Sequence, residues 1–489
     1  MSLDKNTRNS LLFQLGEIIP SEYLYTSEED LKPYECDGLS AYQKLPIAVA
    51  LPDTIKQIQN IVRICSQLKI PIVARGAGTG LSGGALPHEG GIILGLSRFN
   101  QILEIDTKKQ MARVQPGVRN LAITEAARPF GLYYAPDPSS QIACSIGGNV
   151  AENAGGVHCL KYGLTVHNVQ QVTIVTIDGE IITLGSQTLD TPGLDLLALI
   201  TGSEGMLGII VEIIVKLLPK PEKVSVLMAS FDKVEDAGNA VAKIIAEGII
   251  PAGLEMMDKP AIHAAEDFAK ANYPLDVEAI LLCELDGDEQ QLNEQIKIVE
   301  ATLQKANAAN VVIANSSEEQ ARLWAGRKSA FPAVGRISPD YYCMDGTIPR
   351  KQIAYVLKRI SELSKQHGLR VANVFHAGDG NLHPLILYDA NIPGELEVTE
   401  KFGADILELC VEVGGTITGE HGVGHEKIDQ MCLQFSEQEL SQFFAVKHAF
   451  DPDSLLNPGK AIPTLHRCAE LGGMHVHNGE LPHPEIPRF

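Results

Sequence analysis

Two histidines separated by a run of turn-forming residues give the strongest chemical signal in the sequence. His376 and His383 flank Ala-Gly-Asp-Gly-Asn-Leu, and predicted strands over residues 371–375 and 385–388 border the pair. A tight reversal would bring both imidazoles together at its neck. One buried histidine is usually a hydrogen-bonded core residue, but two beside such a turn favour a metal or catalytic site over a structural role.

A carboxylate and an imidazole stand side by side later in the chain, at Glu420 and His421. The glycines of residues 419–424 indicate a constrained loop, which follows a predicted helix over residues 396–413. Two neutral imidazoles and one carboxylate would form a three-ligand cation site with an open position, while the adjacent imidazole can move a proton. Taken alone, the Glu-His pair fits an exposed loop equally well.

A glycine-rich run in the first half of the chain is the second candidate site. Residues 75–84 read Arg-Gly-Ala-Gly-Thr-Gly-Leu-Ser-Gly-Gly, and such glycines permit positive φ and expose N–H groups to an anion. The run lacks both the spacing of a Rossmann fingerprint and the lysine of a Walker motif. By itself it fits a flexible loop as well as a phosphate site. The candidate ligand contacts here are Arg75, Gly76, Gly78, Thr79, Gly80, Ser82 and Gly83.

Further segments of small residues follow the first run. Residues 136–156 contain Pro-Asp-Pro-Ser-Ser, Ser-Ile-Gly-Gly-Asn and Asn-Ala-Gly-Gly, and residues 202–208 read Gly-Ser-Glu-Gly-Met-Leu-Gly. One long, extended ligand that contacts the backbone in several places explains these segments better than separate turns do, and FAD has that shape. The candidate contacts are Pro136, Asp137, Ser140, Gly147, Gly148, Asn149, Gly155, Gly156, Gly202, Glu204, Gly205, Gly208 and Ile209.

Charge and cysteine usage disfavour several classes of protein. With 61 acidic and 40 basic residues, the net charge of −21 disfavours a nucleic-acid or anionic-membrane partner, and an anionic substrate would need a local cationic centre. The nine cysteines are scattered without a CxxC pair, which argues against a disulfide framework and a bound iron–sulfur cluster and indicates a reducing compartment. Glu212 and Lys216 interrupt the most apolar stretch, so we expect no membrane-spanning helix and a cytoplasmic location.

The chain is too long for one compact core, and 489 residues fit about three domains or two larger ones. Changes of rhythm predict four ranges: a helical lead-in over 1–45, a ligand-binding domain over 46–222, a substrate domain over 223–462 and an irregular tail over 463–489. Pro219 and Pro221 mark the main boundary. The regular strand–helix alternation after Ser225 predicts an antiparallel sheet covered by helices on one face.

The order of the glycine segments over residues 46–222 resembles the FAD-binding domain of the vanillyl-alcohol oxidase / p-cresol methylhydroxylase superfamily. This resemblance implies an α+β fold: a two-subdomain FAD-binding domain, then an antiparallel-sheet, ferredoxin-like substrate cap domain and a C-terminal helical segment. It also implies that the pyrophosphate lies on the first loop and the isoalloxazine ring on the later segments. Some members tether FAD through a histidine in the first loop. Here the first histidine past those glycines is His88, so we expect non-covalent FAD.

The histidine motif and the Gly-Glu-His-Gly motif resemble the D-lactate / glycolate / D-2-hydroxyglutarate dehydrogenase branch of that superfamily, as does the closing Leu-Leu-Asn-Pro-Gly-Lys run, which contains Asn457. The roles that this resemblance implies are divalent-metal ligation, with zinc as the expected metal, by His376, His383 and Glu420; proton abstraction by His421; a grip on the substrate carboxylate by Arg327; and a flavin contact by Asn457. Without the resemblance, Arg327 fits a solvated helix residue equally well.

Two departures from the 2-hydroxyglutarate enzymes bear on the substrate. Cys343 stands near the position of a lysine that binds the distal carboxylate, and Pro384 and Leu385 replace a polar pair. A second carboxylate would therefore find fewer partners, which favours a short 2-hydroxy acid such as glycolate or D-lactate.

The expected reaction is hydride transfer from the substrate α-carbon to flavin N5. Without an NAD fingerprint or cluster cysteines, electrons should leave to oxygen, a quinone or a partner. The resemblance implies a complex with a second flavin-domain subunit and an iron–sulfur subunit, which would bring the chain to the inner face of the membrane. The alternatives are a self-sufficient D-lactate or D-2-hydroxy-acid dehydrogenase, and a non-catalytic FAD-binding scaffold subunit, for which a broken site is expected.

Overall fold

The computed structural model describes residues 4–188 and 193–463, so most of the predicted tail lies outside the described residues. The chain forms two compact units. Unit 1 comprises Met1–Ala154, Leu164–Pro219 and His421–Phe489, and unit 2 comprises Gly155–Gly163 and Lys220–Glu420. The chain therefore enters unit 2 twice, and it leaves unit 2 for the last time between Glu420 and His421.

Unit 1 is built on two larger sheets. Its elements up to residue 154 are α1 (Lys5–Gly16), β1 (Leu24–Tyr25), α2 (Glu28–Leu31), β2 (Ala48–Ala50), α3 (Ile55–Leu68), β3 (Ile72–Arg75), β4 (Ile92–Gly95), β5 (Ile102–Asp106), β6 (Met111–Val114), α4 (Asn120–Ala127), β7 (Leu132–Tyr133) and α5 (Ile146–Glu152). After α6 (Cys159–Tyr162) of unit 2 come α7 (Thr165–Asn168), β8 (Val169–Val175), β9 (Ile181–Gly185), α8 (Leu196–Ile200), β10 (Ile209–Lys216) and β11 (Leu218–Pro219).

The two larger sheets of unit 1 match the expected two-subdomain organisation. One has the order β1-β2-β4-β3, in which β2, β3 and β4 run parallel, and the other is antiparallel with the order β5-β6-β10-β8-β9. Helix α3 starts at a capping box of Thr54 and Gln57, and its apolar face is buried. Leu11 and Leu15 of α1 pack in the same core, so the N-terminal helix contributes directly to unit 1.

Unit 2 is a seven-stranded sheet with helices. Its elements are β12 (Lys223–Phe231), α9 (Val234–Ala246), β13 (Gly253–Asp258), α10 (Lys259–Ala269), β14 (Ala279–Gly287), α11 (Glu289–Lys305), β15 (Asn310–Ile313), α12 (Ser317–Lys328), α13 (Ala330–Val334), β16 (Asp340–Cys343), α14 (Ile353–His367), β17 (Arg370–Phe375), β18 (Pro384–Tyr388) and α15 (Glu395–Glu412). After the chain has returned to unit 1, it forms α16 (Met431–Gln434) and α17 (Glu437–Phe450) there. No helix among residues 4–188 and 193–463 is long and apolar enough to span a membrane.

The sheet of unit 2 is antiparallel throughout, with the order β15-β12-β14-β13-β17-β18-β16. The predicted antiparallel sheet is confirmed, but the prediction that helices cover one face is wrong. Ile280 and Leu282 pack in a core with α10, α12 and α13, while the alternate residues Leu281 and Cys283 are equally buried and α9 and α11 also contact β14. A strand buried on both faces reads as a continuous apolar run, and residues 279–283 carry that pattern.

Strand register brings the chemistry-bearing residues of unit 2 together. Strand β13 pairs with β17 so that Met256 lies opposite Phe375, and β16 pairs with β18 so that Cys343 lies opposite Leu385. Continuing each register past the strand ends sets Glu255 opposite His376, and Asp345 opposite His383. Two acidic residues far apart in sequence are thereby delivered to the histidine turn.

Polar contacts explain why residues 155–163 belong to unit 2. His158 Nε2 lies 3.0 Å from Glu284 Oε1, and Lys161 and Tyr162 both contact the carboxylate of Asp286. Both acids lie on β14, which pairs with β12 on one side and β13 on the other. Three polar side chains therefore attach this short excursion to the sheet.

Candidate flavin and metal sites

The first glycine loop of unit 1 presents a row of unengaged backbone donors. Within the described part of the chain, the N–H groups of residues 77–83 donate no hydrogen bond to a protein acceptor. Gly78 and Gly83 have φ of +70° and +74°, which strongly favours glycine at both positions. A β-carbon at Gly76 would lie 2.1 Å from Ser145 Oγ, so a larger residue there would have to displace that side chain. A concave run of free N–H groups is suited to the oxygens of a pyrophosphate.

The segment between β1 and β2 supports this loop. Asp37 is 7% exposed, and its carboxylate accepts hydrogen bonds from the N–H groups of Leu39 and Ala85. Arg75, predicted to add positive charge to the cradle, donates to the carbonyl oxygen of Cys36 at 2.7 Å and lies over the ring of Tyr34. The guanidinium therefore also holds the loop to its support. The sequence pattern gave no signal for Asp37.

The second glycine segment is joined to its neighbours by asparagines. Asn149 donates to the Oδ1 atom of Asn120 at 3.0 Å, and Asn120 donates to the carbonyl oxygen of Pro136 at 2.9 Å. The N–H of Gly147 donates to the carbonyl oxygen of Pro116. Asn120, which sequence reasoning missed, thus links two segments that it did identify. Asp137, Ser140 and Gly148 lie along the same stretch of unit 1.

The third segment is bound to the end of α5. The N–H groups of Gly202 and Glu204 donate to the carbonyl oxygens of Val150 and Ala151, both at 2.8 Å. Gly205 and Gly208 continue the loop into β10, which begins at Ile209.

Asn457 ties two of these segments together. Its side-chain amide donates to the carbonyl oxygens of Gly84 at 2.8 Å and Glu204 at 2.7 Å. The first loop also contains Thr79, Gly80 and Ser82. The Ser82 hydroxyl donates to the carbonyl oxygen of His421. The structure thus assembles most of the predicted flavin contacts within unit 1, whereas Gly155 and Gly156 belong to unit 2.

A half-buried acid, Glu152, stands among the glycine segments of unit 1. β-Carbons at Gly84 and Gly422 would lie 2.5 and 2.2 Å from the two carboxyl oxygens of Glu152. Among residues 4–188 and 193–463, oxygen Oε2 of Glu152 has no hydrogen-bond partner, whereas the neighbouring Glu204 carboxylate accepts two N–H groups, each at 2.7 Å. Burial first, and then the charges of Glu204 and Asp37, raise the pKa of Glu152 well above its usual value despite two nearby lysines.

This raised pKa predicts a pH-dependent stability effect of Glu152→Gln. The folded protein holds the proton that the unfolded chain loses above about pH 4.3, so the acid costs stability progressively as pH rises. The substitution should raise the melting temperature at pH 8 by a few degrees, at about 2–4 °C per kcal/mol, and much less at pH 4. Differential scanning fluorimetry at both pH values measures this, with the exposed Glu125→Gln as control. Equal shifts at the two pH values would contradict the assignment.

The histidine turn of unit 2 forms a compact three-residue cluster. His376 directly follows β17 and His383 directly precedes β18, as the flanking strands predicted. The Nε2 atoms of the two rings lie 3.1 and 3.2 Å from the same oxygen, Oε1 of Glu420, and the ring planes are nearly perpendicular at 83°. The two histidines are only 3% and 2% exposed. The predicted convergence of two imidazoles and one carboxylate is therefore present in the structure.

Asp345 fixes the loop that carries Glu420. Its carboxylate accepts hydrogen bonds from the Thr418 hydroxyl at 2.5 Å, from the Glu420 N–H at 3.1 Å and from the Asn381 amide at 2.9 Å. A β-carbon at Gly419 would lie 1.5 Å from the amide nitrogen of Asn381, so only glycine fits there. Asp345 is fully buried, and no motif in the sequence marked it.

Glu255 connects the cluster to Arg327. Its carboxylate oxygens lie 2.8 and 3.0 Å from His376 Nδ1, and Oε2 lies 2.6 Å from a terminal nitrogen of Arg327. Arg327 is 1% exposed, so the interpretation of a solvated helix residue is wrong. An acidic residue within the otherwise apolar run of residues 253–257 was the available sequence signal for Glu255.

The electrostatics of the cluster are those of a cation site. Burial opposes charge on His376, but the carboxylates of Glu255 and Glu420 outweigh it and raise the pKa of His376 well above its usual value. Burial likewise opposes ionisation of Glu420, yet the two histidines hold the pKa of Glu420 well below its usual value. A cation that binds here must displace protons, so its affinity should increase with pH.

The donor set fits a divalent cation. Metal–ligand distances of about 2.1 Å at tetrahedral angles place ligand atoms about 3.4 Å apart, close to the two contacts of 3.1 and 3.2 Å. The three ligand atoms of His376, His383 and Glu420 all lie within 4.8 Å of one another. Two imidazole nitrogens and one carboxylate oxygen form a set that zinc and similar ions accept, with a position left for a further ligand.

His421 belongs to unit 1 and is half-buried. Its carbonyl oxygen accepts a hydrogen bond from the Ser82 hydroxyl at 3.0 Å, and the next residue, Gly422, has a φ of +82°. The first glycine loop therefore helps to fix the backbone of the predicted base. The constrained loop predicted around Glu420 and His421 is confirmed, because neither residue lies in a helix.

Known proteins resemble this chain in sequence over nearly its full length. Residues 46–185 match the family described as FAD binding domain, and residues 220–461 match that described as FAD linked oxidases, C-terminal domain. The glycolate oxidase subunit GlcD of Escherichia coli (strain K12) is 64% identical over 99% of this chain and 97% of the relative. The D-lactate dehydrogenase of Anaerostipes hadrus is 34% identical over 92% of this chain and 96% of the relative.

The fold is also found among solved structures. A p-cresol methylhydroxylase with substrate bound superposes with a TM-score of 0.81 over 95% of this chain and 98% of that chain, at 17% sequence identity. The expected fold class, with an FAD-binding domain of this type, is thereby confirmed. The protein is a member of the FAD-linked oxidase family, a flavoprotein related to glycolate oxidase subunits and D-lactate dehydrogenases and built on the vanillyl-alcohol oxidase / p-cresol methylhydroxylase fold.

Proposed function

We propose that the protein oxidises glycolate to glyoxylate, and D-lactate to pyruvate as a secondary substrate, using non-covalent FAD and a divalent cation, for which zinc is our assignment. The observation that carries the proposal is the meeting of two imidazole nitrogens on one oxygen of Glu420, in a chain that has an FAD-binding domain. Such a cluster supplies the cationic centre that a small anionic substrate needs in a protein of net charge −21.

The residues divide the work of the reaction. His376, His383 and Glu420 hold the cation, and the backbone N–H groups of residues 77–83 hold the FAD pyrophosphate. When bound, the cation supplies Lewis acidity to the substrate oxygens and FAD supplies a hydride acceptor at N5. His421 takes the hydroxyl proton on an imidazole nitrogen as the α-carbon gives up its hydride, and Arg327 orients the substrate carboxylate.

We propose that electrons leave through partners. A second flavin-domain subunit and an iron–sulfur subunit would accept them, and the complex would lie in the cytoplasm at the inner face of the membrane. The name of the 64% identical relative, a glycolate oxidase subunit, supports this assignment. The absence of CxxC pairs from the sequence supports it too, because an iron–sulfur cluster normally needs clustered cysteines.

A second candidate is a self-sufficient D-lactate dehydrogenase, which the 34% identical relative from Anaerostipes hadrus favours. A scaffold subunit without catalytic activity is the third. The ordered His376–His383–Glu420 cluster weighs against a scaffold, since burying a carboxylate and two imidazoles costs stability that a scaffold has no reason to retain.

Anaerobic reduction of the bound flavin separates these candidates. Mixing the purified flavoprotein with excess glycolate should bleach the yellow flavin band faster than an equal concentration of D-lactate does. Bleaching by D-lactate alone would support the second candidate, and no bleaching by either acid would support the scaffold. Reduction by dithionite in the same cuvette is the control that the flavin is accessible to reductant.

A further inference from the structure

Glu255 contacts two residues to which the proposed reaction gives different roles, a metal ligand and the arginine that orients the substrate. It lies 2.8 Å from Nδ1 of the proposed metal ligand His376 and 2.6 Å from the terminal nitrogen of Arg327. Glu255 and Arg327 are each 1% exposed and His376 is 3% exposed. Water therefore does not screen or replace these contacts.

We propose that Glu255 is a positioning residue that fixes the ring of His376 with Nε2 toward the cation and holds Arg327 in place at the same time. The inference rests on the proposed metal site and deepens it. An ionised carboxylate only accepts hydrogen bonds, so the Nδ1 atom that faces Glu255 must carry a hydrogen. The other nitrogen, Nε2, then offers its lone pair to a cation, and it is this atom that faces Glu420 at 3.1 Å.

The contacts with His376 and Arg327 together make an ionised Glu255 tolerable in the core. A buried carboxylate without a cationic partner is strongly destabilising, whereas a guanidinium at 2.6 Å neutralises its charge. A hydrogen bond such as that between Glu255 and His376 Nδ1 orients a metal-binding imidazole, and its loss typically weakens metal affinity by about 10–100-fold. The same carboxylate thus positions both the proposed metal ligand His376 and Arg327.

The test compares Glu255→Gln with a matched variant, Glu284→Gln. Glu284 is also a buried carboxylate of this sheet and also contacts an imidazole, His158 Nε2 at 3.0 Å, but His158 is not a proposed ligand. Zn²⁺ affinity is measured by competition with a chromophoric chelator. Glu255→Gln should bind Zn²⁺ about 10–100-fold more weakly than the wild type, and Glu284→Gln within about twofold of it.

Two further readouts separate positioning from general damage. The visible absorption spectrum of the Co²⁺-loaded protein should change in Glu255→Gln and not in Glu284→Gln, because it reports ligand geometry. With cation saturating, the KM for glycolate should increase in Glu255→Gln through displacement of Arg327. Glu255→Asp restores the charge on a shorter side chain, and its Zn²⁺ affinity should fall between those of the wild type and Glu255→Gln.

The outcomes are distinguishable. If the wild type binds no divalent cation, the proposed metal site is wrong, and this inference falls with it. If the wild type binds Zn²⁺ and Glu255→Gln binds it equally well, only the positioning role of Glu255 is wrong. Should Glu255→Gln not fold, the affinity of Glu255→Asp decides, and a value equal to that of the wild type rejects the role.

Discussion

Replacing His383 with alanine is expected to lower kcat for glycolate oxidation by about 10³-fold and to release the bound cation. His383 Nε2 is one of two imidazole nitrogens that meet Glu420 Oε1, so its loss leaves two protein ligands of three. A Lewis-acid cation contributes several kcal/mol of transition-state stabilisation, and each 1.36 kcal/mol is tenfold in rate. Steady-state turnover with a dye acceptor and metal content by atomic emission measure the two effects.

His367→Ala is the matched control for this prediction. His367 is also a buried imidazole of unit 2 beside a carboxylate, at 2.7 Å from Asp405 Oδ2, and it stacks on the ring of Phe402. Its loss should lower the melting temperature while metal content and turnover persist. Chelation of the wild type should reproduce the effect of His383→Ala, and added Zn²⁺ should reverse it. Full turnover of a cation-free His383→Ala protein would remove the metal from the proposed mechanism.

The metal cluster shows which contacts a sequence can reveal. The two histidines share one short turn, so turn-forming residues between two strand patterns were enough to bring them together. Glu255 and Asp345 reach the same place through strand register, since Met256 lies opposite Phe375 and Cys343 opposite Leu385. Register between strands distant in sequence depends on the whole packed sheet, and a single sequence does not specify it locally.

The glycine segments show a different limit. Their composition predicted where the backbone must be permissive, and positive φ at Gly78, Gly83, Gly202 and Gly205 agrees. Composition does not tell which side chains support the loops and which face a ligand. Asn457 and Arg75 therefore have structural contacts that the pattern did not predict.

The division into units was also beyond the sequence pattern. The prolines at residues 219 and 221 mark the entry into unit 2 through a change in strand rhythm. The return to unit 1 falls between Glu420 and His421, within one glycine-rich loop. No change of composition accompanies this return. The two sides of the loop are instead fixed by separate contacts, the Glu420 N–H with the Asp345 carboxylate and the His421 carbonyl oxygen with the Ser82 hydroxyl. Such a crossing is set by tertiary contacts alone.

Replacing His421 with alanine is expected to lower kcat by about 10²–10⁴-fold while FAD and the cation stay bound. A positioned general base contributes that factor, and alanine leaves no group to accept the hydroxyl proton. The backbone of residue 421 should remain in place, because the Ser82 contact is made by its carbonyl oxygen and not by the imidazole. Stopped-flow reduction of the flavin by glycolate measures the step directly, and the flavin absorbance and metal content verify that both groups are retained.

Chemical rescue makes this prediction specific to proton transfer. Added imidazole should restore part of the flavin reduction rate in His421→Gly, where the side-chain space is empty. The exposed His448→Ala of unit 1 should behave as the wild type throughout. If His421→Ala reduces flavin at the wild-type rate, another group must take the proton, and the role of His421 would be confined to the loop.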